Sequence, residues 1–138
     1  MEEGIARTRL ASAAGERFVP LRRQLGVTTF GMNQIVLEPR QRGRIHRHRE
    51  QEEVYLVLEG TLTVAIEGEE HVLEAGELMR VPPTARRQLV NRGPERLVLL
   101  ALGGAHEHSG RDGEAFVDWD ADDPAPPQEV PLPADLPG

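Results

Sequence analysis

The 138-residue chain contains no cysteine and no lysine, so all sixteen of its basic residues are arginine. The first absence removes disulfide frameworks, thiolate metal sites and thiol nucleophiles. The second removes Schiff-base chemistry, which requires a lysine amine. A basic surplus is missing as well: the formal net charge is −7 and the pI near 5.2. Nucleic acid is therefore not an expected partner, because phosphate binding needs a basic footprint over the domain, and no helix-turn-helix or zinc-finger spacing is present. No apolar run is long enough for a secretory core or a membrane span, which leads us to expect a cytoplasmic protein with no membrane partner.

With 38% hydrophobic residues, the chain has enough apolar side chains for one domain with a true core and is short for two. Short stretches rich in β-branched and aromatic residues predict strands near 16–20, 26–37, 44–48, 53–58, 61–67, 70–74, 78–81, 86–91 and 96–102. They are divided by turn signals such as "EG" at 59–60, "EGEE" at 67–70 and "PPT" at 82–84. Spacing this short and regular indicates an all-β antiparallel sandwich or barrel over 16–117. Residues 1–15 form a short N-terminal segment in which Glu2 to Ala14 could make a loose helix. From Asp118 the composition changes to "DWDADDPAPPQEVPLPADLPG", an acidic, proline-rich tail over 118–138 that cannot sustain a hydrogen-bonded ladder. It is expected to run extended on the barrel or on a neighbouring subunit, with Trp119 anchoring it through apolar contact.

The segment "IHRHREQEE" at 45–53 carries the strongest chemical signal. In an extended strand alternate side chains share a face, so His46 and His48 project together while Arg47 points away. A β-sheet can build a metal site in this way. Five arginines between Arg40 and Arg49 lie beside it and would attract carboxylates or phosphates, unless they form a solvated face balanced by Glu50 and Glu52. The later His106 and His108 repeat the spacing within "AHEHSG", without strand alternation around them, and are expected in an exposed loop.

The longer run "HRHREQEEVYLVLEG" resembles the first motif of the cupin superfamily, with His46, His48, Glu53 and Gly60 in register and Glu52 as the alternative carboxylate. The stretch "GELMRVPPTARRQLVN" follows the second motif from Gly76 through Pro82 to Asn91. Thr84 stands where that motif has its inner glycine and Arg87 where it has its last histidine. Upstream, Arg40 replaces the glycine expected six residues before His46. The resemblance covers about residues 25–102. It implies a single-domain jelly-roll barrel, a double-stranded β-helix, with the ligand site inside and a homodimeric assembly. It also implies a divalent transition metal (Fe, Mn, Ni or Zn) on His46, His48 and Glu53, and oxygenase-like or isomerase-like chemistry on a small molecule, which the neighbouring arginines lead us to expect as an anion. Two imidazoles and one carboxylate suit non-haem iron or catalytic zinc with open positions.

Strand phase extends this site. Glu53, Tyr55 and Val57 share one face, Arg87 and Leu89 another, and Arg44 falls at the mouth. Met32, Gln34 and Val36 are taken as further pocket candidates, although nothing in the sequence fixes the phase of their strand. Arg87 cannot ligate, because a guanidinium stays protonated. Either it pairs with Glu53 and replaces the metal, or it reaches the mouth and clamps an anion. The leading expectation is a metal-dependent cupin with Tyr55 and Arg87 as catalytic groups and Arg44, Arg87, Gln34 and Met32 as substrate contacts. The alternative is a metal-free small-molecule-binding cupin in which Arg87 replaces the last ligand. Acid–base catalysis without metal, with a histidine as base and Tyr55 as acid, ranks last.

Overall fold

The computed structural model describes residues 4–11, 16–104 and 112–137, and His106 and His108 lie outside them. Its strands are β1 (Phe18–Val19), β2 (Gly31–Leu37), β3 (Ile45–His48), β4 (Glu52–Glu59), β5 (Thr61–Ile66), β6 (Glu69–Glu74), β7 (Leu78–Val81), β8 (Arg87–Val90), β9 (Leu97–Gly104) and β10 (Gly113–Phe116). They form two five-stranded antiparallel sheets, ordered β1-β2-β9-β4-β7 and β10-β3-β8-β5-β6. This is the antiparallel two-sheet arrangement expected from the strand rhythm, in the jelly-roll form that the cupin resemblance implies. Inward positions alternate along each strand, and Val57, Leu62, Val64, Val81, Leu97 and Leu99 close one end of the space between the sheets, all of them essentially inaccessible. The other end stays open.

Two turn glycines set the strand junctions. Gly60, between β4 and β5, has φ +80°, and a Cβ there would sit 2.3 Å from the Arg96 carbonyl oxygen. Gly76, before β7, has φ +89° but faces open space. Arg40, at the position where a glycine was expected, also adopts the left-handed region, with φ 73°. The local backbone keeps a glycine-like turn even though the residue carries a side chain.

Four expectations need correction. Residues 4–11 contain no helix, while 12–14 lie outside the described residues. Ile5 and Leu10 are exposed, so a helix there would have no buried face to stabilise it. The strand near 16–20 shrinks to two residues paired with Gln34 and Ile35 of the same chain. A short helix, α1 (Leu21–Leu25), follows it and ends at Gly26 with φ 74°. β2 starts at Gly31 instead of 26, and β10, absent from the expected set, pairs with β3 through Ala115↔His46 and Gly113↔His48.

Beyond β10 the chain returns along the barrel. Ala125 and Ala115 exchange backbone hydrogen bonds at 2.8 and 2.9 Å, and a single 3-10 turn spans Pro127–Glu129. Val130 is buried, its carbonyl accepts from Arg44 Nε at 2.6 Å, and the Leu136 amide donates to the Arg40 carbonyl at 2.8 Å. Trp119 lines a small groove with Phe116, Pro131 and Pro133.

Candidate metal centre and ligand cavity

β3 and β8 meet at the pair His46↔Arg87, and both side chains point between the sheets. β4 faces them with Glu53 and Tyr55, one pleat period apart. His46 Nε2 lies 3.5 Å from Glu53 Oε1, and His48 Nε2 lies 3.4 Å from Glu53 Oε2. One ligand atom from each of the three residues falls within 4.8 Å of the other two, so the group could hold a metal ion. Donor atoms bound at ~2.1 Å to one cation lie about 3.0–3.4 Å apart when the angle between them is 90–110°. The two measured separations are close to that range.

The hydrogen bonds set the roles of the ring nitrogens. His46 Nδ1 lies 3.2 Å from the Arg44 carbonyl, which can only accept. Nδ1 therefore carries a proton, and Nε2 faces Glu53. His48 Nδ1 is buried without a hydrogen bond, and the nearest acid, Asp112 Oδ2, is 3.7 Å away. Asp112 is itself fixed by the Glu50 and Gln51 amides at 3.0 and 2.9 Å. Asp112 escaped sequence reasoning, since 64 positions separate it from His48 and no local motif links the two.

Arg87 stands behind this group. Its side chain is fully buried, and Nη2 donates to Glu53 Oε1 at 3.2 Å. Nε donates to the Tyr55 hydroxyl at 3.3 Å, and Nη1 donates to the Pro83 and Ala85 carbonyls at 2.9 and 2.6 Å. The loop that carries Thr84 in place of a glycine thus supplies the carbonyls that hold the guanidinium. Tyr55 in turn donates to Glu53 Oε1. Burial alone would raise the Glu53 pKa, yet hydrogen bonds from His46 and His48 and the charges of His46 and Arg87 outweigh it, holding the carboxyl well below its usual range. Burial and the Glu53 charge push the Tyr55 phenol well above its ordinary value, although Arg87 opposes them.

A cavity of about 580 Å³ opens in front of these residues. His46, His48, Glu53, Tyr55 and Arg44 line it, as do Arg17, Arg22 and Arg23, which sequence reasoning did not select. Three expectations fail here. Arg87 does not line the cavity, because its donors are turned to the Pro82–Ala85 loop and to Glu53, so it cannot clamp a substrate there. Gln34 points to the opposite face of β2, where its side-chain amide exchanges two 2.8 Å hydrogen bonds with the Ala11 backbone. Met32 shares that outward phase, as does Val36, while Asn33, Ile35 and Leu37 face the cavity. Glu52, the alternative carboxylate, points outward and pairs with Arg80 at 2.7 Å.

A family model described as a cupin domain matches residues 33–103, just over half of the chain. No curated protein matches. A cupin protein from Bacteroides fragilis superposes with a TM-score of 0.67 at 24% identity, covering 76% of this chain and 86% of that one. A sugar phosphate isomerase from a cupin superfamily, from Silicibacter pomeroyi, gives a TM-score of 0.65 at 25% identity, covering 85% and 80%. A putative sugar phosphate isomerase from Acidithiobacillus ferrooxidans gives 0.59 at 26%, covering 67% of this chain and 58% of that one. Jelly-roll topology, both sequence motifs and the family match agree, and the chain belongs to the cupin family.

Proposed function

We propose that this cupin binds one divalent transition metal through His46 Nε2, His48 Nε2 and Glu53 and acts on a small anionic molecule in the adjoining cavity. One observation carries the proposal. His46 Nε2 and His48 Nε2 converge on the two oxygens of one carboxylate at 3.5 and 3.4 Å, separations close to those of donors that share one cation. A divalent metal held there supplies a Lewis-acid centre that polarises a substrate carbonyl or hydroxyl oxygen. The chain's own residues do the rest. Arg87 and Tyr55 fix the rotamer of Glu53 and keep it ionised, the Arg44 carbonyl fixes the His46 tautomer, and the arginines at the mouth attract the anion. Isomerisation ranks ahead of oxygenation, supported by the Silicibacter pomeroyi sugar phosphate isomerase and the putative one from Acidithiobacillus ferrooxidans.

Metal analysis of protein purified without an affinity tag or chelator tests this reading, with about one equivalent expected. Replacing His46 and His48 by alanine should abolish binding, and a chelator should lower thermal stability. Occupancy at 100 times Kd contributes about 2.7 kcal/mol. Stoichiometry near zero would favour a second reading, which the Arg87–Glu53 ion pair supports: a proton on a histidine replaces the metal, and the cavity binds its anion without turnover. In either case we read the working unit as a homodimer, since the edge strands β1, β6 and β7 leave Phe18, Val72 and Leu78 exposed. Sedimentation showing a monomer at micromolar concentration would refute the dimer.

A further inference from the structure

We infer that the molecule taken by this cavity is an organic anion with a hydrocarbon body, a carboxylate or a phosphate monoester, and not a polyhydroxylated sugar phosphate. This rests on the reading of the cavity as the ligand site, and it does not depend on the metal. The wall inverts the charge of the whole chain. Against a net charge of −7, the described lining holds Arg17, Arg22, Arg23 and Arg44 and a single acid, Glu53. That acid is already neutralised by Arg87 and hydrogen-bonded by Tyr55. Arg17 is paired with Asp135 at 3.7 Å, while Arg22, Arg23 and Arg44 have no acidic partner among the described residues, so the wall keeps a surplus of positive charge that selects a negative head group. Guanidinium forks pair with planar or tetrahedral oxyanions, so a carboxylate and a phosphate both satisfy them.

The body of the ligand is specified by the other walls. Leu37, Leu89 and Ala101 are almost wholly buried, and with Ile35 they make the inner surface from β2, β8 and β9. Phe18 and Leu132 extend the carbon surface toward the mouth. Outside His46, His48, Glu53 and the arginines, the polar side chains on the described lining are Asn33, Gln51 and Tyr55, and the Tyr55 hydroxyl is already engaged with Glu53 and Arg87. A sugar carries a hydroxyl on almost every carbon, and each one pressed against this surface without a partner would weaken binding by roughly tenfold. A hydrocarbon body loses nothing there and gains the burial.

Four probes titrated calorimetrically into the full chain, with metal present and again with chelator, decide the matter: phenylacetate, phenyl phosphate, glucose 6-phosphate and phenylacetamide. One or both of the phenyl anions should bind at least about tenfold tighter than glucose 6-phosphate and than the neutral amide. Which of the two phenyl anions binds better identifies the head group. Ile35→Asn should reduce binding of the phenyl anions and narrow their margin over glucose 6-phosphate. Equal or tighter binding of glucose 6-phosphate overturns the inference, as does failure of both phenyl anions to bind. If no metal is retained yet the phenyl anions still win, the metal reading fails and this one stands. If metal is retained and glucose 6-phosphate wins, the reverse holds.

Discussion

Replacing Arg87 by methionine removes a fully buried cation while keeping most of its volume. The Pro83 and Ala85 carbonyls and the Tyr55 oxygen lose their donors, at about 1 kcal/mol each. Glu53 loses its guanidinium but keeps Tyr55 and the two histidines, so its share falls short of that of an isolated buried charge. The net loss should be about 3–5 kcal/mol, within the range for breaking a buried pair. For a chain of this length that lowers the melting midpoint by roughly 10–15 °C. Glu53 also fixes the pH dependence. Its folded pKa lies below the ordinary 4.5, so its stabilising contribution is present above that value and is lost as pH falls below it. Arg87→Met should therefore shrink the loss seen in acid. Urea unfolding at pH 7 and pH 4, combined in a double-mutant cycle with Glu53→Gln, measures both effects. Arg87→His, the residue the family motif carries, should raise metal affinity by at least about tenfold, because a ligand replaces a repelling charge. Anion affinity in the cavity should hold, since Arg87 does not reach it. A loss under about 1 kcal/mol for Arg87→Met, or a cycle with no coupling to Glu53, would refute the account.

Gly60→Ala should cost more than about 2 kcal/mol, because the new methyl meets a backbone oxygen at 2.3 Å, while Gly76→Ala, strained only by its φ, should cost about 1. Equal losses in denaturant melts would show that the Arg96 contact is not limiting. Arg40→Gly should be neutral or stabilise by up to about 1 kcal/mol, since glycine relieves a left-handed arginine but adds freedom to the unfolded chain; a clear destabilisation by the same measurement would contradict this. Removal of residues 121–138 should leave one cooperative thermal transition, lowered by the lost burial of Val130 and the lost Ala125 pairing, and a chain without such a transition would make the tail part of the folding unit.

The fold was legible because strand rhythm and turn residues act locally. The His46–His48 pair was legible for the same reason: a period of two puts both on one face whatever surrounds them, while Glu53 was added through the cupin resemblance. What stayed hidden depends on partners distant in sequence. β10 is only "GEAF", and it becomes a strand because β3 presents an edge to it. Asp112 matters through its place beside His48, and no spacing rule connects positions that far apart. Of the two geometries expected of Arg87, the structure has the pairing with Glu53, and the carbonyls of the Pro82–Ala85 loop that hold the guanidinium away from the mouth could not be read from the sequence.

The phase of β2 is the most consequential of these. "GMNQIVL" carries polar and apolar residues in both phases, so hydrophobic alternation cannot orient it, and a shift by one residue exchanges the two faces. The orientation is set from outside the strand. Gln34, one of the most buried polar side chains, is satisfied by both backbone groups of Ala11, a pairing available only on the outer face. With Gln34 held there, Ile35 and Leu37 must turn inward. Had the opposite phase held, Met32, Gln34 and Val36 would line the wall in place of Asn33, Ile35 and Leu37. The observed phase keeps one amide, Asn33, and adds the branched side chains of Ile35 and Leu37, so the segment that caps Gln34 on the outside of the barrel also determines which side chains a ligand meets inside.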